Sequence, residues 1–306
     1  MQYKVIMDKK GVDKMQKFFE ENFPQQILIN EPMKNHTSFK IGGPADILFL
    51  PQKISDIVSV IDFCKKNSIR YFVIGNGTNL LVSDNGFRGV IIKIGKNISQ
   101  INLNENEIEA GSGIFLSHLA KFALKNNLSG LEFAFGIPGT LGGAICMNAG
   151  AYGGEIKDVF VSAQILHDGQ IKTYNDLNFS YRNSLIDENY VVLSAKIKLQ
   201  NGNHDEIQKK MNEFSLKRRN SQPLNFPNAG SIFKRPKNNF AGKLIMEANL
   251  ADYKIGGACV SSKHCGFIIN MGNATAQNVL DLIHHIQKVV KNKFDIALET
   301  EIKFLE

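Results

Sequence analysis

Tryptophan is absent from this 306-residue chain, and there are only eight prolines and four cysteines. Cys64, Cys146, Cys259 and Cys265 form no C-x-x-C pair and have no histidine at metal-ligand spacing. A zinc site of common pattern is therefore not expected, and the thiols read as reduced and mostly buried. No run approaches the ~20 apolar residues that cross a bilayer. The stretch Met1 to Lys10 mixes charged and apolar residues and lacks the apolar core of a signal peptide. A cytoplasmic protein with no membrane partner is the expectation. Internal repeats, low-complexity tracts and long blocks of one charge are also missing, the densest basic run being Lys217-Arg218-Arg219. The net charge of +7 points either to nucleic acid or to a small anionic ligand. No RNA-recognition or zinc-finger pattern is present, and a mildly basic enzyme for phosphorylated ligands explains the charge equally well.

What is present is an ordinary globular balance, 43% hydrophobic and 21% charged, which suffices for two or three domains. Val12, Met15, Phe18 and Phe19 have helical spacing, and Pro24 stops that helix. Ile54, Ile57, Val58, Ile61 and Cys64 mark a second helix. Tyr71–Ile74, ended by Gly75, reads as a buried strand, with Val90-Ile91-Ile92 as its neighbour. These make a first unit, 1–96. A second unit, 97–203, holds the alternating Ile108-Glu109-Ala110, a helix carrying Leu116, Leu119, Ala120, Ala123 and Leu124, and strands near 159–167, 170–174 and 190–199. A third, 204–306, opens with a polar helix from His204 to Arg219. It continues with a helix near 240–249, short strands near 258–270 and a long helix from Thr275 to Lys293. It ends in a strand, Leu298 to Leu305, with Leu298, Ile302 and Phe304 on one face and Glu299, Glu301 and Lys303 on the other. The fold class is α+β.

Two glycine-rich segments stand out. Gly75-Asn76-Gly77-Thr78-Asn79-Leu80 follows a strand and is either an anion-binding nest or a plain turn; it is neither G-x-G-x-x-G nor a Walker loop. The stretch from Gly136 to Gly154 holds seven glycines. Glycine in a regular element costs about 1 kcal/mol against alanine, so a ligand lying close to the backbone is the natural compensation. Gly136, Ile137, Pro138, Gly139, Thr140, Gly142, Gly143 and Ala144, then Asn148, Gly150 and Ala151, are the candidates to approach a dinucleotide such as FAD.

The segment Asn35-His36-Thr37-Ser38-Phe39-Lys40-Ile41-Gly42-Gly43-Pro44-Ala45-Asp46 resembles the N-terminal motif of the UDP-N-acetylenolpyruvoylglucosamine reductases, the MurB family. The two glycine-rich segments resemble that family's FAD-binding loops. Ser180-Tyr181-Arg182-Asn183-Ser184, Asn228-Ala229-Gly230-Ser231-Ile232-Phe233-Lys234 and Leu298-Glu299-Thr300-Glu301-Ile302 follow in the family's order, so the likeness runs from about residue 30 to the end. With no long insertion between Tyr181 and Asn228, and with Phe240–Ile245 as it stands, the chain is similar to the family's compact type. Thr78 and Thr140 stand where some relatives carry serine, and either hydroxyl can donate to phosphate.

The resemblance implies a flavin fold of the vanillyl-alcohol-oxidase (PCMH) type in two subdomains, with a C-terminal substrate domain. It implies non-covalent FAD, NADPH as reductant and UDP-N-acetylglucosamine enolpyruvate as substrate in peptidoglycan precursor synthesis, in a chain that works as a monomer. Arg182 would steady the charge that develops on the substrate carboxylate. Ser231 would give the proton, and Glu301 would hold the carboxyl group, with Glu299 as its competitor on the same strand face. Tyr152, Lys234 and Arg235, with Arg218 and Lys243, either meet the diphosphate of a nucleotide or are solvated. His36 is read as structural rather than as a covalent flavin link. Two rivals remain: another FAD-dependent oxidoreductase acting on an alcohol or sugar, and a basic nucleic-acid-binding protein.

Overall fold

In a computed structural model the chain is described for residues 9–306, with side chains from Lys14 onward. Met1 to Asp8 and the side chain of Val12 lie outside the described residues. Helix α1 (Lys9–Asn22) turns Met15 and Phe19 fully inward, and Phe18 stacks on Phe63 with ring centroids 3.7 Å apart. It ends just before Phe23-Pro24, because the residue ahead of a proline is driven out of helical geometry. In α2 (Ile54–Lys66), Ile57, Ile61 and Cys64 are buried, as their helical spacing predicts, while Ile54 and Val58 are partly buried and Val60 joins the core. The Asp56 carboxylate accepts from the N–H groups of Gln52 and Lys53 at the helix start.

These helices accompany a four-stranded sheet in the order Ile27–Pro32, Pro44–Phe49, Phe87–Lys93, Tyr71–Ile74. The last three strands run parallel, and Tyr71–Ile74 pairs with Val90–Lys93. A second sheet is antiparallel throughout, in the order Gln170–Tyr174, Phe160–His167, Tyr190–Lys198, Glu107–Gly111, Ile101–Asn104. Helix α3 (Leu116–Lys125) buries Leu116, Leu119, Ala120 and Ala123 in the same core as Ile108 and Ala110. The glycine-rich stretch contains one short helix, α4 (Leu141–Cys146). After the polar α5 (His204–Ser221) and the short α6 (Ala241–Glu247), a third sheet runs Asn228–Ser231, Phe267–Asn270, Ala258–Val260, Lys254–Ile255. Helix α7 (Ala276–Phe294) packs Val279, Leu282, Ile283, Ile286 and Val290 against it. Its first turn is closed by Thr275, whose hydroxyl accepts from Asn278 N at 3.0 Å.

The last strand departs from the alternation read in the sequence. Only Lys303–Leu305 is a strand; Leu298, Ile302 and Leu305 are buried, whereas Phe304 is 42% exposed. The segment changes partners midway. Lys234 N donates to Glu299 O and Glu301 N to Ile232 O, so residues 299–301 pair antiparallel with 232–234. Lys303–Leu305 then pairs parallel with Leu80–Val82. The change of partner resets the inward phase. The cores also interlock. Leu166, Val191 and Leu193 of the second sheet share a core with α1 and α2, and Phe39, Ile41 and Leu81 share one with α7.

Candidate active site

A cavity of about 1490 Å³ opens where the three sheets meet. Ligand pockets usually measure about 300–1,000 Å³, so this one has room for a cofactor and a second ligand together. One wall is Gly75–Leu80. Facing it are Ile137, Pro138, Gly139, Thr140, Gly142, Gly143 and Ala144, with Gly150 and Ala151 beyond. The two loops are locked together: Asn76 Nδ2 donates to Pro138 O at 2.9 Å, and a Cβ on Gly75 would lie 2.2 Å from Thr140 Oγ1. Gly77 has φ +62° and a Cβ there would stand 2.2 Å from His36 O, so glycine is required.

The third wall brings together residues from distant parts of the sequence. Arg182 sits in the left-handed region, φ 55°, in a turn closed by reciprocal Ser180–Asn183 backbone bonds. Its Nε donates to Glu301 Oε1 at 3.1 Å and its Nη2 to Gly150 O at 2.8 Å. Burial raises the Glu301 pKa above the ordinary carboxylate value, and the charges of Arg182 and then Lys234 restrain the rise. Ser231 lines the same cavity next to Gly230, whose φ of +78° depends on glycine and whose N–H donates to Asn228 Oδ1 at 3.0 Å. Asn79 Nδ2 reaches Glu301 O at 3.2 Å, so the first glycine loop touches the segment that carries the glutamate.

Some candidates stand elsewhere. Asn148 is fully buried beneath the cavity wall: its amide donates to Glu155 Oε2 and Ser180 O, and so supports the turn that carries Arg182. Gly136 lies under the Arg218 side chain, and Tyr152 stacks on Phe214 at 4.6 Å. Lys234 is paired with the exposed Glu299, and neither residue is on the cavity wall, whereas Arg235 is. His36 has both ring nitrogens occupied, by Glu31 at 2.9 Å and Lys93 at 3.1 Å, away from the cavity. Arg218 and Lys243, left undecided by the sequence, both line the cavity, and so do Gln222 and His264, which no motif marked. Among the described residues no three metal-ligating side chains come together.

The cavity suits a large polar ligand. Ser112 Oγ and Gln222 Oε1 are the buried side-chain atoms without a hydrogen-bond partner among the described residues, and both residues line it. Two facing glycine loops with their backbones turned to such a cavity are a cradle for a dinucleotide. Residues 45–174 match the FAD binding domain family. The fold and cavity thus define a flavoprotein of the vanillyl-alcohol-oxidase type. A 4-ethylphenol oxidase from Gulosibacter chungangensis shares this fold, with a TM-score of 0.50 at 13% identity over 64% of this chain and 44% of that one.

Residues 222–305 match the C-terminal domain of UDP-N-acetylenolpyruvoylglucosamine reductase. The reductase of that name from Caldanaerobacter subterraneus subsp. tengcongensis is 49% identical over 96% of this chain and 97% of its own length. That from Clostridioides difficile is 48% identical over 92% and 94%. The crystal structure of the Thermus caldophilus enzyme superposes with a TM-score of 0.80 at 31% identity, covering 92% of this chain and 98% of that one. The chain belongs to the UDP-N-acetylenolpyruvoylglucosamine reductase family.

Proposed function

We propose that the chain reduces UDP-N-acetylglucosamine enolpyruvate to UDP-N-acetylmuramate with NADPH, in peptidoglycan precursor synthesis in the cytoplasm. The observation that carries the reading is the Arg182–Glu301 pair at 3.1 Å on a wall shared with Ser231, adjoining the glycine cradle. Bound FAD, held non-covalently, supplies a site that takes hydride from NADPH and delivers it to the β carbon of the enolpyruvyl group. The rest is done by the protein. Arg182 gives its Nε hydrogen to Glu301 and one Nη2 hydrogen to Gly150, which leaves both Nη1 hydrogens and the second on Nη2 to meet the substrate carboxylate where charge develops. Ser231 gives its hydroxyl proton to the α carbon. Glu301 holds Arg182 in place beside the substrate carboxylate, and burial raises its pKa above the ordinary carboxylate value against the opposing charges of Arg182 and Lys234.

The glycine cradle, Gly75–Leu80 with Ile137–Ala144, Gly150 and Ala151, holds FAD. Residues 1–96 and 97–203 form its two subdomains and 204–306 the substrate domain. Arg235 on the cavity wall meets the nucleotide of the substrate; Tyr152 and Lys234 act from outside it. The chain works as a monomer, and neither nucleic acid nor a membrane enters the reaction. Anaerobic stopped-flow on the FAD-loaded protein tests this. NADPH should bleach the flavin, and the enolpyruvyl sugar nucleotide should restore its colour. A bleached protein recovered only by oxygen and not by that substrate would overturn the substrate assignment.

A further inference from the structure

The segment from Asn35 to Asp46 has no part in the chemistry above, yet it reaches the cavity wall at Ser38 and Lys40. Ser38 is held from both sides. Its N–H donates to Gly77 O at 3.1 Å, in the first glycine loop. Its Oγ donates to Asn228 O at 2.6 Å, across 190 residues of chain. A carbonyl only accepts, so the single hydroxyl hydrogen of Ser38 is committed to Asn228. The glycine loop also packs on this segment, since a Cβ on Gly77 would stand 2.2 Å from His36 O and 3.1 Å from Thr37 Cα. Thr37 is buried, and its hydroxyl donates to Ile41 O at 3.0 Å, which fixes the local turn.

Asn228 opens the strand that presents Ser231. It pairs with Ile269, and Ser231 pairs with Phe267, with the register broken between them. A bulge of this kind re-aims the side chain that follows it, and Gly230 supplies the φ of +78°. The bulge interrupts the ladder, so the set of the strand depends on other contacts. Asn228 Nδ2 donates to Phe226 O at 2.8 Å and its Oδ1 accepts from Gly230 N at 3.0 Å. Those bonds are local. The bond from Ser38 is the one that ties the bulge to the glycine loop. Phe39 adds a second tie, because Asn270 Nδ2 donates to Phe39 O at 3.2 Å while Asn270 N donates to Pro227 O at 2.9 Å. Residues 38 and 39 are thus anchored to both strands of the bulged pair.

A phosphate bound in the cavity would need a donor, and the Ser38 hydroxyl hydrogen is already directed to Asn228. The bond therefore acts within the protein. We propose that Ser38 is a positioning residue for the proton transfer: its hydroxyl holds the bulge so that Ser231 keeps one placement relative to the glycine cradle. The inference rests on the proposed role of Ser231 as proton donor to the enolpyruvyl substrate. Ser38 acts through Ser231, so its loss affects proton delivery and leaves flavin reduction by NADPH alone.

The test is anaerobic stopped-flow on the FAD-loaded parental protein, Ser38→Ala, Ser38→Thr, Ser231→Ala and the double variant, with each half-reaction followed in H2O and D2O and FAD dissociation constants measured beside it. Ser38→Ala should keep FAD affinity and bleaching by NADPH within about twofold. It should slow the return of colour with the enolpyruvyl substrate about tenfold and enlarge the solvent isotope effect on that step. Ser38→Thr keeps the hydroxyl and should recover most of the rate. In the Ser231→Ala background, Ser38→Ala should slow the step by less than about twofold, because the group it positions is gone. Colour return at the parental rate in Ser38→Ala would overturn the proposal. A tenfold slowing that persists without Ser231 would make the effect a general one and overturn it too. Loss of FAD affinity, or a Ser38→Ala chain that fails to fold, would assign the hydroxyl to the cofactor or to the fold instead. A parental protein that bleaches but does not recover with the enolpyruvyl substrate would remove the substrate reading itself, whatever the variants do.

Discussion

Glu299 and Glu301 are two residues apart and chemically identical, yet their side chains are 72% and 17% exposed. The difference is a matter of partner: Glu299 pairs with Lys234 at the surface, and Glu301 with Arg182 inside the cavity. Burial raises the Glu301 pKa, so the native state holds that proton more tightly than the unfolded chain does. The sign follows from linkage: Glu301 favours the fold most below the ordinary carboxylate pKa, and that contribution is lost as pH rises through the raised value. Glu301→Gln should flatten this decline, read as urea midpoints over a pH series. An unaltered pH slope would mean that Glu301 ionises as a solvated carboxylate. For Ser231→Ala, flavin reduction by NADPH should stay nearly intact while transfer to the enolpyruvyl substrate slows about 10²-fold. Equal slowing of both steps would take the proton-donor role away from Ser231.

At the scale of elements, the glycine loops combine backbone freedom with close packing. Gly77 needs both, with φ +62° and His36 O 2.2 Å from any Cβ. Gly77→Ala should cost about 1–2 kcal/mol from the left-handed backbone alone, and more from the collision. FAD retention through gel filtration should fall with it. A variant that keeps both its flavin and its melting temperature would show that the loop can shift without loss. Helices were legible from spacing because one apolar stripe per helix faces one core, as in α2 and α7. The final strand was not legible in this way. Alternation assumes a single sheet partner, and residues 299–305 have two.

Across the whole molecule, the last described segment closes onto the end of the first glycine loop. Lys303–Leu305 pairs with Leu80–Val82 directly after the first glycine loop, and Arg70 Nη2 donates to Glu306 O at 2.6 Å. Deleting residues 303–306 should therefore reduce the bound FAD-to-protein ratio and lower the melting temperature, although no deleted residue belongs to the glycine cradle. A truncated protein that binds FAD normally would show that the closure is incidental to the cradle. The sequence by itself determined the α+β class, the positions of the helices other than α4, the two glycine loops and the ordered motifs that mark the family. Those are local properties: periodicity, turn chemistry and short runs of particular residues. Only the tertiary structure decided which polar residues face the cavity. It set Glu301 against Arg182, placed Asn148 and Lys234 off the cavity wall, and left Arg218 and Gln222 unsatisfied within it. Burial and pairing depend on segments far apart in the chain, and no local pattern records them.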